Sequence, residues 1–92
     1  MRIVWTATAY TNIDDIENHI ARDNLKAAFD VRNQIDTHIN LLEDQPRMGR
    51  KGRVSDTREL VVTGLPYVVV YRVRKSVVEI VRVLHGAQQW PR

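Results

Sequence analysis

The chain has 92 residues, 43% hydrophobic and 27% charged, a composition typical of one globular domain over residues 1–92 and unlike that of a disordered or fibrous protein. The lack of cysteine excludes disulfides and thiolate metal sites, and the N-terminal apolar run is too short for a signal peptide or membrane span, so we expect a cytoplasmic protein without membrane contacts. Residues 1–46 carry four basic and eight acidic side chains (−4) and residues 47–92 ten basic and three acidic (+7), which favours an acidic or polyanionic partner unless folding interleaves the two halves.

The first half of the chain predicts a short strand and two helices. Residues 2–6 alternate in polarity, as in a strand, whereas from Ala9 onward the apolar residues recur at helical spacing. Asp23 or Asn24 is expected to cap the second helix, and the short connection predicts an antiparallel hairpin. The apolar stripes are Ala9, Ile13, Ile16 and Ile20 in the first helix and Ala28, Val31, Ile35, Ile39 and Leu42 in the second.

Residues 45–55, hereafter the basic loop, contain two glycines, one proline and four basic residues. Pro46 ends the second helix, and the remaining pattern indicates a surface loop. The cations Arg47, Arg50, Lys51 and Arg53 fit contact with phosphates or an acidic surface. They equally fit a loop that is polar because it does not pack, and the pattern leaves both interpretations open.

The second half predicts three strands, over residues 60–63, 67–73 and 77–84. A turn at Lys75 and Ser76 puts Arg72 opposite Glu79. Under this register one face carries Val68, Val70, Arg72, Val81, Val83 and His85, and the other carries Tyr67, Val69, Tyr71, Ile80, Arg82 and Leu84. The order of elements predicts an α+β fold, β-α-α-β-β-β, in which the helical hairpin packs on one face of a twisted antiparallel sheet and leaves the other face open.

Two side chains near the C-terminus are candidates for a functional role. His85 ends a predicted strand, where imidazole serves as a general acid or base or, more often, as a structural hydrogen-bonding group. Trp90 either pins the tail to the body or anchors a partner. His19 and His38 lack neighbours of metal-ligand spacing, so we expect no metal and no other cofactor.

Several short motifs resemble those of the RelE/ParE family of toxins from bacterial toxin-antitoxin modules. They are Thr-Arg-Glu-Leu at 57–60, Pro-Tyr at 66–67, Val-Tyr-Arg-Val at 70–73 and Leu-His-Gly-Ala-Gln-Gln-Trp at 84–90, and the resemblance covers residues 5–91. It implies a toxin neutralised in a hetero-oligomer by a cognate ParD-like or RelB-like antitoxin, whose C-terminal segment wraps the helical hairpin and lies along the sheet. We expect this segment to contact the apolar stripe, at Ile13, Ile16, Ile20, Ile35 and Ile39.

The family has two branches with different targets. RelE-like members cut messenger RNA in the ribosomal A site, and ParE-like members poison DNA gyrase. RelE-like sequences place an arginine just before the Leu-Val-Tyr of the third strand, where this chain has Val68, and Trp90 here replaces a phenol. The resemblance therefore favours the ParE-like, plasmid-stabilisation branch.

A gyrase inhibitor of this kind would bind its target through Arg47, Arg50, Lys51, Arg53, Arg58, Arg82, His85 and Trp90. One alternative is a ribosome-dependent, metal-independent endoribonuclease that uses His85, Arg82 and Arg58. Another is a degenerate relative without toxicity.

Overall fold

The computed structural model describes residues 1–86 and Trp90, so the Ala87, Gln88 and Gln89 positions of the closing motif lie outside the described residues. Two helices follow the first strand, and four strands follow the helices. The elements are β1 (Arg2–Trp5), α1 (Ala7–Ala21), α2 (Leu25–Asn40), a 3-10 turn (Leu41–Glu43), β2 (Arg50–Lys51), β3 (Arg58–Val61), β4 (Tyr67–Arg74) and β5 (Val77–His85).

Side-chain caps begin both helices. The Thr6 hydroxyl accepts a hydrogen bond from the Ala9 N–H at 3.1 Å, and the Asn24 amide oxygen accepts one from the Ala27 N–H at 2.9 Å. Each cap satisfies an N–H group that has no partner within the helix. Of the two predicted caps, Asp23 and Asn24, the structure has Asn24.

The five strands form one mixed sheet in the order β1-β5-β4-β3-β2. The helical hairpin covers one face of the sheet, which confirms the α+β prediction. The all-antiparallel prediction is wrong for β1, which runs parallel to β5. The chain crosses the sheet through the helical hairpin before it returns, and such a crossover permits parallel pairing. Strand β2 was not predicted from the sequence. It lies within the basic loop and pairs with β3.

A β-bulge divides the β4–β5 hairpin into two registers. Next to the turn, Arg72 pairs with Glu79 as predicted. Beyond the bulge Val70 pairs with Arg82, which leaves Val81 without a counterpart on β4. The Thr6 hydroxyl donates a hydrogen bond to the Val81 carbonyl at 3.1 Å, so the cap of α1 also holds the bulge.

The bulge corrects the predicted faces of the sheet. One extra residue in β5 exchanges the faces of all residues that follow it. Val83 therefore lies in the core, packed in one cluster with Val69, whereas Arg82 pairs with Val70 on the opposite face. The predicted register, which has no bulge, places Arg82 on the face of Val69 and Val83 on the face of Val70.

The core lies between the helical hairpin and the sheet. Its fully buried side chains include Ile13, Ile35, Ile39, Leu42, Val62, Val69, Tyr71, Val78 and Ile80. On the opposite face Val70 is also fully buried and Leu84 is only 8% exposed, so that face is partly covered rather than open. Among residues 1–86 and Trp90, no helix is long and apolar enough to cross a bilayer.

Candidate functional site

The basic loop is held in one shape by side chains from β3 and β4. The Tyr71 hydroxyl donates a hydrogen bond to the Pro46 carbonyl and accepts one from the Gly49 N–H, both at 2.8 Å. Burial raises the pKa of the Tyr71 phenol, which favours the neutral form that donates this bond. Arg58 Nη1 donates to the Gly49 carbonyl at 2.7 Å and to the Arg47 carbonyl at 3.3 Å. The loop is therefore a packed structure, because its backbone groups bond to the sheet.

Two of the four loop cations neutralise a buried carboxylate. Glu59 on β3 is 3% exposed, and its oxygens accept a hydrogen bond from Arg50 Nη2 at 3.1 Å and from the Arg53 N–H at 3.0 Å. Burial alone would raise the pKa of Glu59, but these hydrogen bonds and the two guanidinium charges outweigh it and lower the pKa. Arg50 and Arg53 thus hold the loop to the sheet, and their substitution would disturb folding.

We expect the Glu59→Gln variant to unfold more easily than the parent, by about 1 to 3 kcal/mol at neutral pH, because it loses charge-assisted hydrogen bonds. The folded-state pKa lies below the ordinary value of 4.5, so this stabilisation is present above that pH and disappears as the pH falls through the folded-state value. Urea unfolding at neutral pH and near pH 3 measures both quantities. A difference between the two proteins that persists unchanged in acid would contradict the charge-based explanation.

The other loop cations line a cleft at the end of the sheet, hereafter the cationic cleft. Its volume is about 500 Å³, and Arg47, Lys51 and Arg58 contribute its positive charge. Asp56 contributes an opposite charge but forms an ion pair with Arg74 at 3.1 Å. The remaining lining residues are Gly52, Val54, Ser55, Thr57 and Val73. Positive charge is therefore in excess at this end of the molecule.

His85 lies at the other end of the sheet and Arg82 in the middle of β5, and both are close to Trp90. The Arg82 guanidinium carbon is 5.1 Å from the centre of the Trp90 ring, a cation–π arrangement. Trp90 lines a narrow crevice of about 10 Å³ together with Glu59, Val68 and Leu84. Its indole Nε1 is buried and has no hydrogen-bond partner among the described residues. Trp90 thus packs against the sheet, and this contact helps to cover the face that was predicted to be open.

The three side chains considered for RNA cleavage do not converge. Arg58 pairs with Tyr71 and lines the cationic cleft with Val73. His85 pairs with Tyr67, and the two rings meet edge to face with centroids 5.7 Å apart. Tyr67 and Tyr71 are four residues apart on β4, which corresponds to about 13 Å along a strand. Arg82 lies on the opposite face of the sheet, beside Val70.

The predicted antitoxin contacts on the helices need correction. Ile13, Ile35 and Ile39 are at most 1% exposed, so a partner cannot reach these side chains in the folded protein. Ile16 and Ile20 are partly buried. The large exposed apolar side chains of the hairpin are instead Tyr10 at 50%, Leu25 at 76% and Phe29 at 63%.

These exposed residues did not stand out in the sequence because they fall outside the main apolar stripe. Leu25 and Phe29 are one helical turn apart and share a face of α2. This second apolar pair, on an otherwise polar face, is the sequence feature that could have indicated an exposed contact site. Nothing in the sequence pattern indicated the role of Glu59. Its burial depends on the basic loop, which precedes β3 in the chain and folds back over it.

No group of three potential metal ligands occurs in the part of the chain that the structure describes. His38 has a structural role. Its Nδ1 lies 2.9 Å from the Gln34 carbonyl, and its Nε2 accepts a hydrogen bond from the Thr63 N–H at 3.3 Å. The second contact connects α2 to the segment that follows β3.

The sequence matches a known family along nearly its full length. Residues 3–90 match the model of the ParE toxin of type II toxin-antitoxin systems, parDE. A putative toxin of Sinorhizobium fredii, Y4kP, is 42% identical over 90 residues, which cover 98% of this chain and 93% of that protein. Toxin RelE2 of Caulobacter vibrioides is 33% identical over 87 residues, covering 95% and 97% respectively.

Solved structures share the fold. The chromosomal ParDE toxin-antitoxin system of P. aeruginosa contains a chain that superposes with a TM-score of 0.85 at 23% identity, covering 92% of this chain and 95% of that one. The intact E. coli RelBE toxin-antitoxin complex gives a TM-score of 0.69 at 17% identity, with coverage of 96% and 98%. Given the match over residues 3–90 and the 42% identity to a relative, the chain belongs to the ParE family of toxins from type II toxin-antitoxin systems.

Proposed function

We propose that this toxin acts in the cytoplasm by binding DNA gyrase, and that a cognate antitoxin neutralises it in a hetero-oligomeric complex. The observation that carries the proposal is the separation of Arg58, Arg82 and His85 over two faces and two ends of the sheet. Inhibition by binding requires a complementary surface and no convergent catalytic groups.

The chemistry of RNA cleavage supports the same choice. Cleavage without a metal needs a general base, a general acid and cations around one phosphorus atom. Val68 supplies no charge, and the crevice that it lines also contains Glu59. The Arg50 guanidinium is paired with Glu59 at 3.1 Å and that of Arg53 lies 4.0 Å from it, so these nearby cations are already engaged by a carboxylate.

Exposed cations support target binding. Arg47 and Lys51 are exposed, and the loop that carries them is fixed by Tyr71 and Arg58. A rigid basic surface loses little conformational entropy when it binds a complementary partner. Arg50 and Arg53 lie on the same loop but pair with Glu59, whereas Arg82, His85 and Trp90 form a second group around the crevice that we propose also contacts the target.

The antitoxin is expected to cover the helical hairpin. Leu25 and Phe29 form an exposed apolar pair on α2, the kind of anchor that an amphipathic or extended partner segment covers. Acidic residues in the same segment would neutralise the nearby positive half of the chain. The two solved relatives are described as ParDE and RelBE toxin-antitoxin assemblies, which supports a partner of this type.

The target is tested with purified toxin in parallel assays of gyrase supercoiling, gyrase-cleaved DNA and cleavage of ribosome-bound message. We expect inhibited supercoiling or accumulated cleaved DNA, and intact message. His85→Ala is assayed alongside, because loss of this imidazole would abolish an acid–base mechanism, whereas a binding surface made of several groups would lose only part of its affinity.

Codon-position-specific cleavage of message would overturn the proposal, above all if it falls at least about 100-fold in His85→Ala or Arg82→Ala, as expected for removal of a catalytic group. Such a result would establish a RelE-like endoribonuclease. A folded toxin that is inactive in all assays and harmless to growth would instead be a degenerate relative.

A further inference from the structure

The cationic cleft holds one arginine in a fixed position. Arg58 is partly buried, and its Nη1 is bound by the Arg47 and Gly49 carbonyls. No hydrogen bond to the other guanidinium nitrogens is found among the described residues. Because the guanidinium is planar, fixing one nitrogen limits the directions in which the others point. The cleft therefore presents a preorganised cation at its wall.

Two further cations line the cleft beside this arginine, and little negative charge offsets them. Arg47 and Lys51 line the cleft and are exposed. The carboxylate of the lining residue Asp56 is held by Arg74 at 3.1 Å. Three cations thus face one acid that a fourth cation already neutralises, so the cleft attracts an anion.

The lining indicates what kind of molecule would carry this anion. The apolar side chains of the cleft are those of Val54 and Val73, and both are only partly buried. A docked peptide usually inserts apolar or aromatic anchors into a pocket, whereas nucleic-acid interfaces are polar and strongly basic. The volume of about 500 Å³ is in the range of sites that hold small ligands and has room for a backbone segment.

We propose that the cationic cleft binds a phosphodiester group of a nucleic-acid backbone through Arg47, Lys51 and Arg58. Gly52 also lines the cleft, and its lack of a side chain lets the chain lie against Thr57, because a Cβ atom there would clash with the Thr57 hydroxyl. Arg50 and Arg53 are not required, because they neutralise Glu59. The inference goes beyond the proposed function, since it concerns nucleic-acid contact by the toxin itself and does not depend on inhibition of gyrase.

The test is fluorescence anisotropy of purified toxin with a labelled DNA duplex and with a single-stranded RNA, over a range of salt concentrations. The double variant Arg47→Ala/Lys51→Ala removes two cleft cations. The matched control Arg22→Ala/Lys26→Ala removes two exposed cations from the helical hairpin and leaves the same net charge. Thermal unfolding of both variants checks that the fold is intact.

We expect the cleft variant to bind about 10-fold or more weakly than the control, and its slope of log affinity against log salt to fall by about 2, one for each phosphate contact removed. If the loss is seen with the DNA duplex, DNA is the source of the phosphodiester, and if it is seen with the single-stranded RNA, RNA is the source. Equal losses in both double variants would overturn the proposal, because they would reflect net charge alone. Binding of a labelled polyglutamate peptide that is lost in the cleft variant, without nucleic-acid binding, would overturn it in favour of an acidic protein segment.

Discussion

Replacing Ile35 with alanine is expected to lower the free energy of unfolding by about 2 to 5 kcal/mol, the cost of a cavity in a well-packed core. Ile35 is fully buried and belongs to the cluster that joins α1, α2 and the sheet. Domains of this size have a free energy of unfolding of about 5 to 15 kcal/mol, so the variant would lose much of its stability. Urea unfolding measures this loss, and we expect the dependence of the unfolding free energy on urea concentration to have the same slope in both proteins.

Phe29→Ala is the matched change on the outer face of the same helix. Phe29 is 63% exposed, so the free energy of unfolding should change by no more than about 0.5 kcal/mol. Its affinity for the antitoxin should fall by about 10-fold or more if Phe29 is a binding anchor. Calorimetric titration with the product of the neighbouring reading frame measures this affinity. If the Ile35 variant remains stable but no longer binds the antitoxin, our assignment of the two faces of α2 is wrong.

Replacing Gly49 with alanine is expected to detach the basic loop from the sheet. A Cβ atom at this position would lie 2.7 Å from both Cε1 and the hydroxyl oxygen of Tyr71 and 3.0 Å from the Glu59 carbonyl oxygen. Tyr71 is fully buried and cannot move aside. We expect a loss of about 1 to 3 kcal/mol from overpacking, and more where the Gly49–Tyr71 hydrogen bond is also broken.

Gly86→Ala is the corresponding control, because the nearest atom to its added Cβ, the Pro66 carbonyl oxygen, is at 3.4 Å. The free energy of unfolding of this variant should be close to that of the parent. Hydrogen exchange of the loop amides separates the two changes, with faster exchange around residues 46–53 expected in Gly49→Ala. Unaltered exchange and full growth inhibition by Gly49→Ala would contradict a role for the loop shape in target binding.

Short-range patterns in the sequence determined much of this protein. The sequence narrowed the cap of the second helix to Asp23 or Asn24, and the structure has Asn24 in this role, because capping depends on residues within one turn. Helix α2 itself ends at Asn40, before the predicted end at Pro46, and a 3-10 turn over Leu41–Glu43 follows it. The pairing of Arg72 with Glu79 followed from the turn at Lys75 and Ser76, which sets the register locally. The family motifs in residues 57–90 likewise identified a RelE/ParE toxin, since the matching residues are directly readable.

The features that decide function depend on groups far apart in the chain. The bulge at Val81, which places Arg82 opposite Val70, is held by Thr6, 75 residues away. A helical period cannot distinguish an isoleucine under the sheet from an exposed phenylalanine on the same helix until the packing partner is known. The uniform hydrophobic pattern therefore assigned Ile13, Ile35 and Ile39 to a binding surface that the tertiary structure buries.

The basic loop shows the same division between sequence and structure. Its composition established a charged surface segment, and both interpretations of that segment remained open. Only the folded chain brings Glu59 under Arg50 and Arg53 and leaves Arg47 and Lys51 at the cationic cleft with Arg58. Charge is a property of the sequence, but the neutralisation of one cation and the exposure of another depend on which carboxylate the fold places within reach.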